Sequence, residues 1–228
     1  MKKLILAAII IAAFSLALGA CDAIEDKINS ATAQTETFDL DITDDWVPMY
    51  AIEQGGYKLT AVCYAEAMTI DAVLSATDYA DMWDDAKGHV DSIEVNSLTY
   101  RINHNQSAEG GSLDIFLLDH VPSPIVPPEG VDIDLDDLEF VLVDPDALSN
   151  DDRIARIDIP AGADVDDWTD AEFLSGGESK LEDQLLNFND PFAFCMRLGI
   201  PTHGVLDSVE PDLELKMATS FEVTFTPL

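Results

Sequence analysis

The sequence predicts a mainly β protein: an antiparallel β-sandwich of immunoglobulin-like or jelly-roll type, with two or three short helices. About nine short runs are either apolar throughout or alternate between apolar and polar residues, and turn residues separate them. Helical patterns are few, and the strand–helix–strand rhythm of a parallel sheet does not occur. Hydrophobic residues make up 47% of the 228 residues, enough for a sizeable core.

The N-terminal part of the predicted domain begins after a polar stretch. Residues 22–36 show no sustained period and predict a tether of about fifteen residues. Thr37–Thr43 places Phe38, Leu40 and Ile42 on one face and predicts a half-buried strand.

Two aromatic residues follow in a segment without a strand pattern. Asp44–Gly56 is expected to be a loop, and its Trp46 and Tyr50 are candidate rings for stacking on a sugar. A loop that plugs one end of the core is the alternative interpretation. Tyr57–Tyr64 and Met68–Leu74 are the next strand candidates.

Three segments carry helix signals. Thr77–Gly88 has a capping Thr at its start and a Gly at its end, with Tyr79 and Trp83 on one face that must dock on the sheet. Trp168–Phe173 contains the spacing of a capping box and predicts a short helix. Glu178–Asn187 predicts another helix.

The longest strand candidate is Val90–Ile102. Its apolar phase changes midway, which predicts a β-bulge near Asn96 and Ser97. Ser112–Leu118 returns as a buried strand, and together the two segments predict a long central hairpin. The remaining strand candidates are Val131–Leu135, Phe140–Val143, Ile154–Ile159, Phe192–Ile200, Leu213–Met217 and Phe221–Phe225.

A proline-rich segment separates two of these strands. Asp119–Gly130 holds four of the eleven prolines and predicts a stiff, polyproline-like conformation. It is expected to cross between strands, with a recognition loop as the alternative.

The charge of the chain limits its partners. It has 45 acidic and 11 basic residues, a formal net charge of −34. Such a surface repels the phosphate backbone, so we expect no nucleic-acid partner. The acids are spread along the whole chain, which is typical of a solvated surface adapted to salt.

Motifs for catalysis are missing from the sequence. It contains no HExxH, CxxC or GxSxG motif, no phosphate-binding glycine loop and no clustered basic patch. Carboxylate pairs are so abundant that glycosidase-type acid–base chemistry is neither indicated nor excluded. The chain is therefore expected to be non-enzymatic, with the enzyme class left open.

Calcium is the one cofactor that the composition suggests, because hard carboxylate oxygens suit it. Two loops offer clustered acids, but neither has the spacing of an EF-hand. The candidate ligands are Asp144, Asp146, Asp164 and Asp166.

Cys63 and Cys195 both lie in apolar, strand-like runs. In an oxidising compartment an even number of cysteines predicts a disulfide. Two separately buried thiols are the alternative.

The first residues resemble a lipoprotein signal. Lys2 and Lys3 precede an apolar run, Leu4–Leu18, and Gly19-Ala20-Cys21 completes a segment that resembles the lipobox of bacterial lipoproteins. The resemblance implies cleavage before Cys21 and lipidation of its thiol. An uncleaved transmembrane helix is the alternative, although a span needs about 20 residues.

These features predict three parts of the chain: a signal peptide (1–20), a lipidated Cys21 with its tether (21–36) and one β-sandwich domain (37–228). The expected function is that of a lipid-anchored protein of the bacterial cell envelope. It is fixed to a membrane, and its domain binds a protein or glycan or serves structurally. A carbohydrate-active hydrolase with carboxylate catalysts and a carrier of an apolar ligand are the alternatives.

Overall fold

The computed structural model describes residues 33–43, 45–128, 131, 133, 139–204 and 210–226. The predicted signal peptide and Cys21 lie outside these ranges. Among the described residues, no helix has both the length and the apolar character needed to cross a bilayer.

The described residues form thirteen strands and three α-helices. The strands are β1 (Gln34–Asp41), β2 (Val47–Met49), β3 (Ile52–Gln54), β4 (Tyr57–Leu59), β5 (Ala61–Tyr64), β6 (Val90–Asn103), β7 (Gly111–Leu118), β8 (Phe140–Leu142), β9 (Arg153–Ile159), β10 (Val165–Asp170), β11 (Glu172–Phe173), β12 (Ala193–Gly199) and β13 (Leu213–Phe225). The helices are α1 (Ile70–Ser75), α2 (Ala80–Ala86) and α3 (Gly177–Leu186).

Two antiparallel sheets form the sandwich, which confirms the predicted fold class. The five-stranded sheet has the order β1-β13-β6-β10, with β2 also pairing with β13. The six-stranded sheet has the order β11-β9-β7-β12-β5-β8, and β3 and β4 form a separate hairpin.

The core lies between the sheets because each central strand buries alternate residues. Strand β13 alternates buried and half-buried residues along its whole length. Its Met217 and Phe221 belong to the same apolar cluster as Ile115 and Met196 of the six-stranded sheet. Burial of this kind contributes roughly 25 cal/mol per Å² of apolar surface.

Helix α2 closes one edge of the core, as its aromatic stripe predicted. Trp83 is fully buried, and its ring packs edge-on against Phe38 of β1. The indole donates a hydrogen bond to Asp71, which also accepts one from Lys87. The helix is shorter than expected, because Thr77 caps a preceding turn by accepting from the backbone N–H of Tyr79.

The predicted bulge in β6 is present. Ser97 lies opposite Ser220 of β13, whereas Val95 lies opposite Phe221, so Asn96 is the extra residue. The bulge keeps Val95 and Leu98 on the core side despite their change of phase.

Three local predictions were wrong. Met68–Leu74 contains helix α1 rather than a strand, since Thr69 caps it and Ile70 and Leu74 are buried one turn apart. Trp168–Phe173 belongs to strands β10 and β11 rather than a helix, because pairing with β6 and β9 overrides the capping pattern.

The third error concerns the expected central hairpin. Strand β6 lies in the five-stranded sheet and β7 in the six-stranded sheet, so the two do not pair. The connection turns at His104, whose φ is +49°, and the side chain of Asn105 then bonds the carbonyls of Pro160 and Ala163. The chain thereby crosses from one sheet to the other.

Other segments differ in their limits. Strand β1 starts at Gln34, inside the expected tether, and β13 is one strand where two were expected. The segment Asp44–Gly56 contains strands β2 and β3. The candidate strand at 131–135 falls largely outside the described residues.

The disulfide between Cys63 and Cys195 is present, as predicted. The two residues lie directly opposite each other on neighbouring strands β5 and β12. They face away from the main core and pack with Phe116 and Leu148 in a second apolar cluster. The bridge thus links two neighbouring inner strands of the six-stranded sheet.

Candidate functional site

The outer face of the five-stranded sheet carries an open groove of about 480 Å³. Its floor consists of short side chains: Ser97 and Thr99 from β6, with Ala218 and Ser220 from β13 opposite them. The hydroxyl of Thr99 donates to the carbonyl of Ala218, and that of Thr219 to the carbonyl of Ser97. Short side chains at four adjacent positions leave the depression that forms the groove.

The two long edges of the groove differ in chemistry. On one side Asp39 and Asp41 of β1 stand beside Ser220 and Ala218. Neither carboxylate makes a hydrogen bond or ion pair with any other residue that the structure describes. On the other side Trp168 of β10 exposes 47% of its surface. The exposed Trp168 side chain and the two carboxylates thus stand on opposite sides of a hydroxyl-lined floor.

Beyond one end of the groove, the next outward-facing positions of β6 and β13 carry cations that lie near two indoles. Arg101 of β6 lies directly opposite Lys216 of β13. The Arg101 Cζ atom is 5.7 Å from the ring centroid of Trp168 and 5.9 Å from that of Trp46, and the Lys216 Nζ atom is 5.8 Å from that of Trp46. These separations fall within the range of cation–π attraction.

This arrangement suits binding of a polar ligand with apolar faces. The indole of Trp168 offers a surface for stacking, and the carboxylates of Asp39 and Asp41 accept hydrogen bonds from hydroxyl groups. Both aspartates come from the same strand and lie on the same edge, about 7 Å apart along it. They do not face each other across a bond to be cleaved.

The sequence identified one aromatic residue of this surface and missed the other. Trp46 is half-buried at the end of the groove. Tyr50 is only 7% exposed and offers no ring face to a ligand. The capping-box spacing places Trp168 just before a predicted short helix, and its position at the groove follows only from the pairing of β10 with β6.

The cation pair was also missed, because Arg101 and Lys216 are far apart in sequence. No basic patch appears along the chain, yet the fold places these two residues side by side. The available signal was that Arg101 and Lys216 each fall on the polar side of an alternating strand.

Two of the four predicted calcium ligands, Asp144 and Asp164, accept hydrogen bonds from the protein backbone. Asp144 accepts a hydrogen bond from the backbone N–H of Asp146 and caps a short 3₁₀ turn. Asp164 accepts one from the backbone N–H of Asn105. Asp166 is exposed on β10. Among the described residues, no group of three or more His, Cys, Asp or Glu side chains is placed to hold a metal ion.

A second charged cluster lies on the outer face of the six-stranded sheet. Asp114 of β7 is 7% exposed and accepts hydrogen bonds from Arg153, Arg156 and Arg197 at 2.9–3.2 Å. Burial alone would raise the pKa of Asp114, but the three arginines outweigh it and lower this pKa. Arg197 also reaches the carbonyls of Pro145 and Leu148. The cluster therefore fixes the loop that covers the disulfide.

Comparison with known proteins does not assign this chain to a family. No protein-family model and no curated protein matches the chain. Among solved structures, a full particle of Israeli acute paralysis virus heated to 63 degrees is 14% identical, with a TM-score of 0.19. A pentamer of Israel acute paralysis virus is also 14% identical, with a TM-score of 0.16. Each match covers 86% of this chain and 69% of the viral chain. Scores this low carry no argument.

Proposed function

We propose that this protein is a lipid-anchored component of the bacterial cell envelope whose β-sandwich binds a glycan without catalysis. The observation that carries the proposal is the groove on the five-stranded sheet. Its indole, its hydroxyl-lined floor and its two carboxylates, which pair with no described residue, are the groups that bind sugars: CH faces stack on the ring, and hydroxyls donate to the acids.

The size of the groove fits a short oligosaccharide. Ligand sites range from roughly 300 to 1,000 Å³, and the groove measures about 480 Å³. Its floor belongs to the two central strands β6 and β13, so it is held rigidly by the sheet. A preformed surface loses little entropy on binding.

The membrane anchor is proposed from the sequence. Cys21 follows an apolar leader in a lipobox-like segment, and a polar tether separates it from β1. Cys21→Ser should leave an unprocessed and unacylated precursor. A mutant that partitions into detergent and migrates like the wild type would contradict lipidation.

A hydrolase is the weaker alternative. Glycosidases place two carboxyl groups on either side of the scissile bond. Asp39 and Asp41 instead share one edge of an open groove. An apolar carrier is not favoured either, because the groove is lined largely by polar side chains.

Binding to a panel of immobilised polysaccharides tests the proposal. Trp168→Ala should weaken binding about tenfold, since a stacked aromatic contributes up to about 1.5 kcal/mol beyond buried area. Tyr57→Ala is the matched control: Tyr57 is 46% exposed, on the separate β3–β4 hairpin. Equal binding by Trp168→Ala and wild type, or equal loss in both variants, would contradict a site in this groove.

A further inference from the structure

Arg101 is the one arginine among the described residues that has no acidic partner. Arg153, Arg156 and Arg197 all contact Asp114. Arg101 makes no hydrogen bond or ion pair with any described residue, and its Nε atom is buried without an acceptor. In a chain with four times as many acids as bases, a guanidinium that pairs with no described carboxylate calls for a physical reason.

The surroundings of Arg101 add to the anomaly. Its cross-strand neighbour is Lys216, and like charges directly opposite each other destabilise a sheet. The two indoles at 5.7 and 5.9 Å stabilise the charge but offer no lone pair to its N–H groups. Arg101 is half-buried, and no described residue accepts a hydrogen bond from the terminal N–H groups of its guanidinium at this end of the groove.

A guanidinium recognises a carboxylate through two parallel hydrogen bonds. We propose that the ligand is an acidic saccharide, and that the carboxylate of a uronic acid residue binds Arg101 with Lys216 adding charge. This inference rests on the proposed function. Trp168 then stacks on the sugar ring beside Arg101, and Asp39 and Asp41, farther along the groove, accept bonds from hydroxyl groups.

The field of the whole protein opposes an anionic ligand, so the site must act at short range. The formal net charge of −34 repels a polyanion at low salt. In salt of about 0.5 M the Debye length falls to roughly 4 Å, which screens the distant acids more than a direct contact. The preference of the site for an acidic over a neutral saccharide is therefore best measured at this salt concentration.

A matched pair of ligands tests the inference on the detergent-solubilised full-length protein. The probes are tri-galacturonate and its methyl ester, which differ in the carboxylate charge, titrated calorimetrically in about 0.5 M sodium chloride. The wild type should bind the acid about tenfold more tightly than the ester, as expected for a charge-assisted contact. Arg101→Gln should abolish this preference while keeping the affinity for the ester. Lys58→Gln, the same charge change at an exposed position of the β3–β4 hairpin, should keep the preference.

The outcomes separate this inference from the proposed function. Equal binding of acid and ester by the wild type would overturn the inference and leave glycan binding intact. An equal loss of both ligands in Arg101→Gln would show that Arg101 only supports the indoles, and would also overturn it. Should that variant unfold, Lys216→Gln must lower the preference severalfold, and an unchanged preference would overturn the inference. Failure of the wild type to bind any polysaccharide of the panel would overturn both proposals.

Discussion

Asp114 provides the sharpest test of how the fold is stabilised. Replacing it with Asn keeps the shape of the side chain and removes its charge. Three guanidiniums at 2.9–3.2 Å then lose their shared anion. Breaking a buried ion pair by removing one partner costs about 3–5 kcal/mol.

Partial exposure of the partners sets the expected size of this effect. The side chains of Arg153, Arg156 and Arg197 are 24%, 37% and 24% exposed, so water screens part of the repulsion. We therefore expect the low end, about 3 kcal/mol, which corresponds to a fall of roughly 6–12 °C in Tm for a domain of this size. Urea unfolding and calorimetry measure both quantities.

A control and a pH dependence sharpen the test. Asp158→Asn alters an exposed acid on neighbouring strand β9 and should change stability by less than about 0.5 kcal/mol. Because the folded-state pKa of Asp114 is lowered, its contribution is present above the unfolded-state pKa and is lost as pH falls through the folded-state value. The Asp114→Asn variant should not show this loss of stability as pH falls. If Asp114→Asn were as stable as Asp158→Asn, the arginine cluster would not hold this sheet as described.

Three further predictions concern the whole domain. Alkylation of the unfolded, unreduced protein should label neither Cys63 nor Cys195, and two labelled thiols would contradict the disulfide. Reduction should lower the free energy of unfolding by up to about 4–5 kcal/mol, because the bridge spans 132 residues. Tm should rise between about 0.01 M and about 1 M sodium chloride as salt screens the net charge, and micromolar calcium should have little further effect. A Tm that does not change with salt would show that charge repulsion does not limit the stability of the domain. A sharp rise of Tm with calcium would indicate a metal site. The backbone carbonyl of Gly204, and then Asp212, raise the pKa of His203. The contribution of His203 to stability is therefore full below its unfolded-state pKa and is lost as pH rises through its folded-state pKa. His203→Asn should make stability less dependent on pH across that range, and an unchanged pH profile would contradict the contact.

The prediction from sequence failed where the groove lies, and for a physical reason. Strand β13 was expected as two strands because Ala218, Thr219 and Ser220 interrupt its apolar alternation. Ala218 and Ser220 form the groove floor, while Thr219 is buried and donates to a backbone carbonyl. The residues that shape the site are thus those that weaken the strand pattern.

Strand β10 was missed for a related reason. Five of its six residues are exposed, so no apolar periodicity marks it, and its capping-box spacing indicates a helix. Its conformation depends on pairing with Thr99 and Tyr100 of β6, which a local pattern does not contain. The bulge in β6 was predictable because both halves of that strand bury apolar residues. The disulfide was predictable because both cysteines lie in apolar runs.

Side-chain footprinting tests the central claim, binding of a saccharide in the groove, most directly. Hydroxyl radicals would be applied to the solubilised full-length protein with and without a polysaccharide that it binds. Trp168 and Tyr57 are 47% and 46% exposed, so oxidation of Tyr57 serves as the internal control for oxidation of Trp168. The account predicts that the ligand protects Trp168 from oxidation and leaves Tyr57 unchanged. Equal oxidation of Trp168 with and without bound polysaccharide would contradict it.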